Sequence, residues 1–395
     1  MRNHRAAQPA THRASPPTAT EHPAALSSFR NWLRILRHGG DIDRQYIPRA
    51  LFVCVSTLAT SPLRLWEQLR YTRQLRDTTI HPSPVVIIGH WRTGTTHLQN
   101  LMSQDETFAF VTTFQALAPG FCLTGDRLLK PLLARFTARR YPTRLIDNIP
   151  LLFDSPQEDE FALANLTPHS VIHAFTFPRQ TVEVFERSVL FDGHAPDVRT
   201  DWVDTYLRLL RKTTLAGNGK RLLIKNCAHS GRLPALLDLF PDAKFIHIVR
   251  NPYYVFRSTV HMHRTVHQRS QLQSVGPERV TSHVLEIYER LMQRFLADRS
   301  LIPSENLVEI RYEDLERAPI DQLHAIYRAL DLPGYENAEP AFQAYINSVS
   351  GYRKNRYTLD PETIETVNRH WAFALDEWGY ERLEPQQPPS SRGLR

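Results

Sequence analysis

The sequence predicts an α/β fold, a central parallel sheet flanked by helices, preceded by a helical N-terminal extension. Three observations carry this expectation. From His81 onward, short apolar runs alternate with stretches of helical periodicity. The first run, Val85-Val86-Ile87-Ile88, enters a glycine-containing turn and then a helix. Ahead of His81, apolar residues recur at helical spacing. With 395 residues, 42% apolar and 23% charged, the chain is long enough for one large domain or two modest ones. The 15 glycines and 28 prolines carry no period, which rules out collagen-like and repeat architectures. No apolar run approaches the roughly 18 residues of a simple membrane-spanning helix.

Taken in order, residues 1–25 are rich in Ala, Pro, Ser, Thr, His and Arg, with Glu21 as their one acid. Such a segment buries too little apolar surface to order itself and is expected to be disordered. Leu26, Phe29, Trp32, Leu33 and Leu36 then fall on one helical face, with Arg30, Arg34 and Arg37 opposite and Gly39-Gly40 as the stop. An apolar stretch from Ala50 to Leu63 runs into a helix-like Leu65–Leu75. Residues 26–80 are therefore a helical extension. It either packs on the main domain or lies on a membrane surface, since Trp, Phe and Leu opposite arginines suit a headgroup boundary. Strands are expected at Val85–Ile88, Leu222–Ile224, Phe245–Val249 and Leu307–Ile310. Helices are expected at Thr96–Ser103, Pro156–Leu166, Trp202–Leu215, Leu233–Phe240 and Pro277–Asp298. No linker interrupts residues 81–385, read as one domain, and residues 386–395 read as a flexible tail.

Charge and cysteine content narrow the function classes. Three scattered cysteines form neither a disulfide framework nor a zinc spacing, and the 18 histidines show no ligand spacing, so no metal is expected. The net charge is +7, and six lysines against 42 arginines make each lysine conspicuous. A basic balance raises a non-catalytic binder of nucleic acid or anionic membrane as a rival reading. The charges are dispersed and no nucleic-acid motif occurs, so no nucleic acid is expected as partner.

The strongest local signal is Gly89-His90-Trp91-Arg92-Thr93-Gly94-Thr95-Thr96 after the apolar strand. Its G-x-x-x-x-G spacing is that of a phosphate-binding loop, in which backbone amides and the helix dipole favour an anion. Thr95 stands where a nucleotide-cleaving loop has lysine, and the nearest cation is Arg92. The later strand Phe245–Val249 ends in Arg250 rather than a magnesium-holding Asp, with Ser258 eight residues on. A guanidinium there suits a second phosphate. Two anion pockets without a metal argue against the kinase or NTPase alternative.

These two elements together resemble the sulfotransferases that use 3′-phosphoadenosine 5′-phosphosulfate (PAPS). Arg311-Tyr312-Glu313-Asp314-Leu315 resembles a further segment of that family. The resemblance implies a P-loop-NTPase-like fold and transfer of a sulfuryl group to an acceptor, a hydroxyl of a small molecule or lipid. By resemblance, Thr93, Gly94, Thr95 and Thr96 cradle the 5′-phosphosulfate and Arg92 neutralises the bridging phosphate. Arg250 and Ser258 hold the 3′-phosphate. His97 falls where relatives stack a tryptophan on adenine, and Arg353-Lys354-Asn355 resembles a segment closing over the 3′-phosphate. Lys225, at a strand end, is a second candidate for stabilising the leaving phosphate. Two groups compete as general base. His229 follows Lys225 by four residues, where relatives keep a spacing of two. In Ser155-Pro156-Gln157-Glu158-Asp159-Glu160 the capping-box pattern gives Glu158 a structural task and leaves Glu160 for chemistry. With no signal peptide, the expected location is the cytoplasm, at the inner face of the membrane if the extension binds lipid. The acceptor and the oligomeric state are not readable.

Overall fold

A computed structural model describes residues 22–140, 152–191, 196–351 and 358–385. Five strands, β1 (Val85–Ile88), β2 (Phe108–Ala109), β3 (Arg221–Lys225), β4 (Lys244–Val249) and β5 (Leu307–Arg311), form a parallel sheet of order β2-β3-β1-β4-β5. Four of them coincide with the apolar runs. β2 is two residues long and leaves no periodic trace.

All four residues of β1 are buried. With a side-chain period of two, Val86 and Ile88 join a core layer with Ile224, Trp202 and Tyr206, while Val85 and Ile87 join Leu98, Leu101 and Ile246 on the other face. A parallel sheet covered on both faces needs such an unbroken apolar run, and each side chain contributes about 1.5–3 kcal/mol on burial. Register aligns Ile87 with Lys225 on one side, and Ile88 with His247 on the other. The strand order reverses direction at β1, so the carboxyl ends of β3, β1 and β4 open onto one crevice. That is where ligands bind in open α/β sheets.

The long helices Pro196–Ala216 and Pro277–Asp298 cover one face. The helix Pro252–Ser270 does not follow from the periodicity. Its buried face includes Ser258, Thr259, His263 and His267, which blur the apolar stripe.

The extension forms helices Phe29–Gly39, Ile47–Ala59 and Ser61–Asp77. Ser28 caps the first by accepting from the Asn31 amide at 3.0 Å. Much of the apolar face of this helix, a candidate membrane contact by sequence, is turned inward: Trp32 and Ile35 are buried with Phe177 and Leu272, Leu36 packs against them, and Leu33 stays exposed. The described residues begin at His22, so the last four residues of the segment expected to be disordered, 22–25, have defined structure. His22 Nε2 donates to the Ser270 carbonyl at 2.9 Å and Nδ1 accepts from the Ala24 amide at 3.1 Å. Burial, with the nearby Arg49 charge, pushes its pKa down to about 3, so the ring is a neutral plug. Residues 1–21 and 386–395 lie outside the described residues. No described helix is long and apolar enough to cross a membrane.

Candidate active site

The loop after β1 is built by two glycines that admit no side chain. Gly89 has φ of +142°, and a Cβ there would meet the Ile248 carbonyl at 2.4 Å. Gly94 has φ of +103°, and a Cβ would strike the Tyr312 ring at 2.2 Å. Between them Arg92 holds a left-handed φ of +73°, uncommon for a non-glycine residue. Thr93 Oγ donates to the His90 carbonyl at 2.7 Å and closes the turn. The helix Thr95–Met102 starts here, so its first amides, without partners in their own helix, face the crevice. Thr95 is buried, with Oγ 3.6 Å from Cys227 Sγ, while Thr96 and His97 are half-buried in the first turn.

The second cationic element meets the first. Arg92 Nε donates to Ser258 Oγ at 2.8 Å, across 166 positions of sequence. Arg250 Nη1 donates to the Arg92 carbonyl at 3.2 Å, and its guanidinium lies 4.4 Å from the Tyr312 ring centroid. Glu313, next in the helix Tyr312–Arg317, accepts from the Asn251 amide at 3.0 Å and from Tyr380 Oη at 2.9 Å. The Arg-Tyr-Glu segment thus props Arg250 and latches the turn that follows it. The structure therefore brings Arg92, Thr93, Gly94, Thr95, Arg250 and Ser258 to one crevice.

On the other side of β1, Lys225 ends β3, and its Nζ donates to Glu158 Oε2 at 2.8 Å. Glu158 Oε1 accepts from the Cys227 amide at 3.3 Å, which places this carboxylate beside Thr95 and its neighbour Cys227. Glu158, Asp159 and Glu160 all stand at the start of the helix Asp159–Leu166, where the dipole favours acids. Successive residues point about 100° apart around a helix, so the three diverge. Asp159 accepts from Tyr206 Oη at 2.9 Å. Glu160 accepts from Arg232 Nη1 at 2.7 Å, Asn226 Nδ2 at 2.8 Å, Ser170 Oγ at 2.8 Å and the Val171 amide at 3.0 Å.

This reverses the sequence expectation for the two glutamates. The capping box does not form: the N-cap is Glu158, and Pro156 sits in an antiparallel bridge to Thr112. Glu160, expected to be free, is fully buried with its oxygens committed. Burial alone would raise its pKa, but Arg232 and the hydrogen bonds to it hold the carboxyl down at about 2. A carboxylate so stabilised has little basicity and no exposed lone pair. His229 is equally enclosed. Tyr206 Oη donates to Asp159, His229 Nε2 lies 2.8 Å from that hydroxyl, and Nδ1 lies 3.4 Å from Arg232 Nη1. Both ring nitrogens are engaged in a structural network. The sequence hid this because capping patterns are local, whereas Lys225 and Arg232 lie 67 and 72 residues away from their glutamates.

Beside the loop, His90 and Trp91 border an apolar pocket with Ile172, Phe175, Met262 and Ile287. His90 Nδ1 lies 2.8 Å from the Trp91 carbonyl, and burial lowers its pKa to about 4, so the imidazole is neutral there. Among the described residues, no three His, Cys, Asp or Glu side chains converge as a metal site. Arg353 and Lys354 lie outside the described residues.

Residues 84–337 match the model of the sulfotransferase family. The chain is 31% identical over 360 residues to omega-hydroxy-beta-dihydromenaquinone-9 sulfotransferase Stf3 of Mycobacterium bovis and of Mycobacterium tuberculosis, covering 91% of each chain. Two crystal structures share the fold. Sulfotransferase STF1 of Mycobacterium tuberculosis has a TM-score of 0.64 at 18% identity, covering 87% of this chain and 92% of that one. Sulfotransferase STF9 of Mycobacterium avium has a TM-score of 0.65 at 19% identity, covering 91% and 98%. The motif pair, the crevice and these relatives agree: the chain belongs to the sulfotransferase family and is an enzyme.

Proposed function

We propose that this sulfotransferase transfers a sulfuryl group from PAPS to the hydroxyl of a lipid-like acceptor, releasing adenosine 3′,5′-bisphosphate. The observation that carries the donor assignment is the junction of Arg92, Ser258 and Arg250 at the phosphate loop. A helix start, two guanidiniums and a buried hydroxyl form a donor set suited to two separated phosphate groups. The donor supplies the sulfur electrophile. An acceptor oxygen forms the new S–O bond as the bond to the bridging phosphate oxygen breaks, leaving negative charge on that phosphate. In this reading Arg92, Lys225 and the amides of Gly94–Thr96 stabilise that charge. Arg250 and Ser258 hold the 3′-phosphate, and His97 offers a ring to the adenine.

In this proposal the acceptor's proton passes to Glu158, itself buried and paired with Lys225 beside the phosphate loop, rather than to Glu160, paired with buried Arg232, or to His229. Glu158 is the carboxylate beside Lys225 and the Thr95–Cys227 contact, and a shift of the Lys225 ammonium toward the leaving phosphate would free Glu158 Oε2 to take the proton. The name of the Stf3 relatives supports a hydroxylated menaquinone or similar lipid as acceptor, and the apolar side chains Ile172, Phe175, Met262 and Ile287 beside Trp91 are compatible with a hydrocarbon group. The reaction then takes place on the cytoplasmic side, where the acceptor's polar end meets the donor.

Calorimetric titration with adenosine 3′,5′-bisphosphate tests the donor site. Wild type should bind, and Arg250→Ala and Arg92→Ala should each weaken binding at least tenfold, since a charge-assisted hydrogen bond contributes about 1.5–3 kcal/mol. Binding of ATP with magnesium but not the bisphosphate would overturn the reading. Labelled PAPS with an ω-hydroxylated menaquinone then tests the acceptor.

A further inference from the structure

We infer that the helices Ile47–Ala59 and Ser61–Asp77 form a docking face for an anionic phospholipid surface. Of the twelve large apolar side chains exposed among the described residues, seven fall between positions 47 and 69. Ile47, Leu51, Val55 and Leu58 recur at helical spacing and are 45–66% exposed. Leu65, Trp66 and Leu69 continue the patch on the next helix at 47–77% exposure. Such a concentration marks an interaction surface, whereas isolated exposed leucines need no explanation.

Neither helix is loosely attached, so the face is a constructed one. Ala50, Val53 and Thr57 bury the opposite side of the first helix. Arg49 donates to the Gln271 and Gln268 carbonyls at 2.8 and 3.2 Å, fixing the helix to the end of the one carrying Ser258. In the second helix, buried Glu67 pairs with Lys212 and accepts from the Thr124 amide at 2.8 Å. The inward sides are thus specified by polar and apolar contacts, and the exposed side carries Ile47, Leu51, Val55, Leu58, Leu65, Trp66 and Leu69 among polar and charged residues.

Charge decides the occupant. Glu67 is the one acid from Arg44 through Arg76, and it is buried. The exposed charges of this span are Arg44, Arg70, Arg73 and Arg76. Asp77, at the last turn of the second helix, is the one exposed acid of the two helices against three exposed arginines there, so the rim of the apolar stripe is predominantly cationic. It complements an anionic headgroup layer, into which an amphipathic helix sinks its apolar side by about 5–10 Å. A second copy of the chain on the same face would set these arginines against their own counterparts. The first helix of the extension is left out, because Trp32 and Ile35 are buried in the fold and Leu33 is its one exposed large apolar side chain. The proposal stands apart from the acceptor assignment, since lipid binding needs neither donor nor acceptor.

The test is co-sedimentation of the full chain with vesicles of phosphatidylglycerol and phosphatidylcholine, against vesicles of phosphatidylcholine alone. Binding should require the anionic lipid and weaken with added salt. Leu51→Glu/Leu58→Glu/Leu69→Glu should lower partitioning at least tenfold, and so should Arg70→Glu/Arg73→Glu, which alters only exposed polar positions. Adenosine 3′,5′-bisphosphate binding should stay at the wild-type level in both. Failure of the wild type to bind anionic vesicles, or equal binding by wild type and variants, overturns the proposal. So does a dimer, seen by light scattering, that the leucine variant dissolves.

Discussion

Replacing Glu160 by Gln separates a structural carboxylate from a catalytic one. The amide keeps the shape but leaves the fully buried Arg232 without its counter-charge. Removing one partner of a buried ion pair costs about 3–5 kcal/mol. Titration gives the same scale: a carboxyl held at about 2 against an ordinary 4.5 corresponds to about 3 kcal/mol at 1.36 kcal/mol per unit. With an unfolding entropy near 2.1 cal/mol/K per residue over 395 residues, the melting temperature should fall about 4–6 °C. The assay pairs thermal denaturation with initial rates at a temperature where both proteins remain folded. The expected result is a lower melting point with kcat within about threefold of wild type. Wild-type stability with a loss of several hundredfold in kcat would refute this reasoning and restore Glu160 as the base.

The remaining perturbations address other parts of the molecule. Glu158→Gln should lower kcat by about 100-fold or more while leaving adenosine 3′,5′-bisphosphate affinity within threefold, and an unchanged kcat in steady-state assays removes Glu158 from the chemistry. Gly94→Ala places a methyl against the Tyr312 ring at a left-handed position, so titration calorimetry should show at least tenfold weaker bisphosphate binding. Trp32→Ala should destabilise the fold by about 3–5 kcal/mol in urea titration, because the extension is part of the core; a loss below 1 kcal/mol would show it to be a separate appendage. Acid should unfold the protein early. His22, His90 and His173 are pushed down to about 3, 4 and 4, chiefly by burial, so the unfolded chain takes up their protons first. Stability is then full above about pH 6.5, falls as pH drops toward 4, and falls further between 4.5 and 2 as Glu160 protonates. A stability that is flat from pH 7 to 4 in denaturant titrations would contradict those assignments.

What the chain determines locally, it displays locally. The β1 run, the two glycines and the threonines after them are contiguous, and each fits its neighbours: a twice-buried strand, a left-handed turn, a helix start that attracts an anion. Arg250 is legible for the same reason, as a strand end, whereas Ser258 is reached by its spacing from Arg250 and the family resemblance, since the helix that carries it does not follow from the periodicity. Tertiary structure alone could decide what the acidic run Glu158-Asp159-Glu160 does, because capping depends on residues three apart while its true partners are Lys225, Tyr206 and Arg232. It also decided which side of the extension faces out. Helical periodicity shows that a face is apolar and not whether something covers it. Phe177 and Leu272 cover Trp32 and Ile35, whereas the stripe from Ile47 to Leu58 is left open. Sequence therefore fixes the chemistry of short segments through steric and hydrogen-bonding rules acting over a few residues. Burial, and with it the charge state and task of each acid and histidine, depends on which distant segments arrive to exclude water.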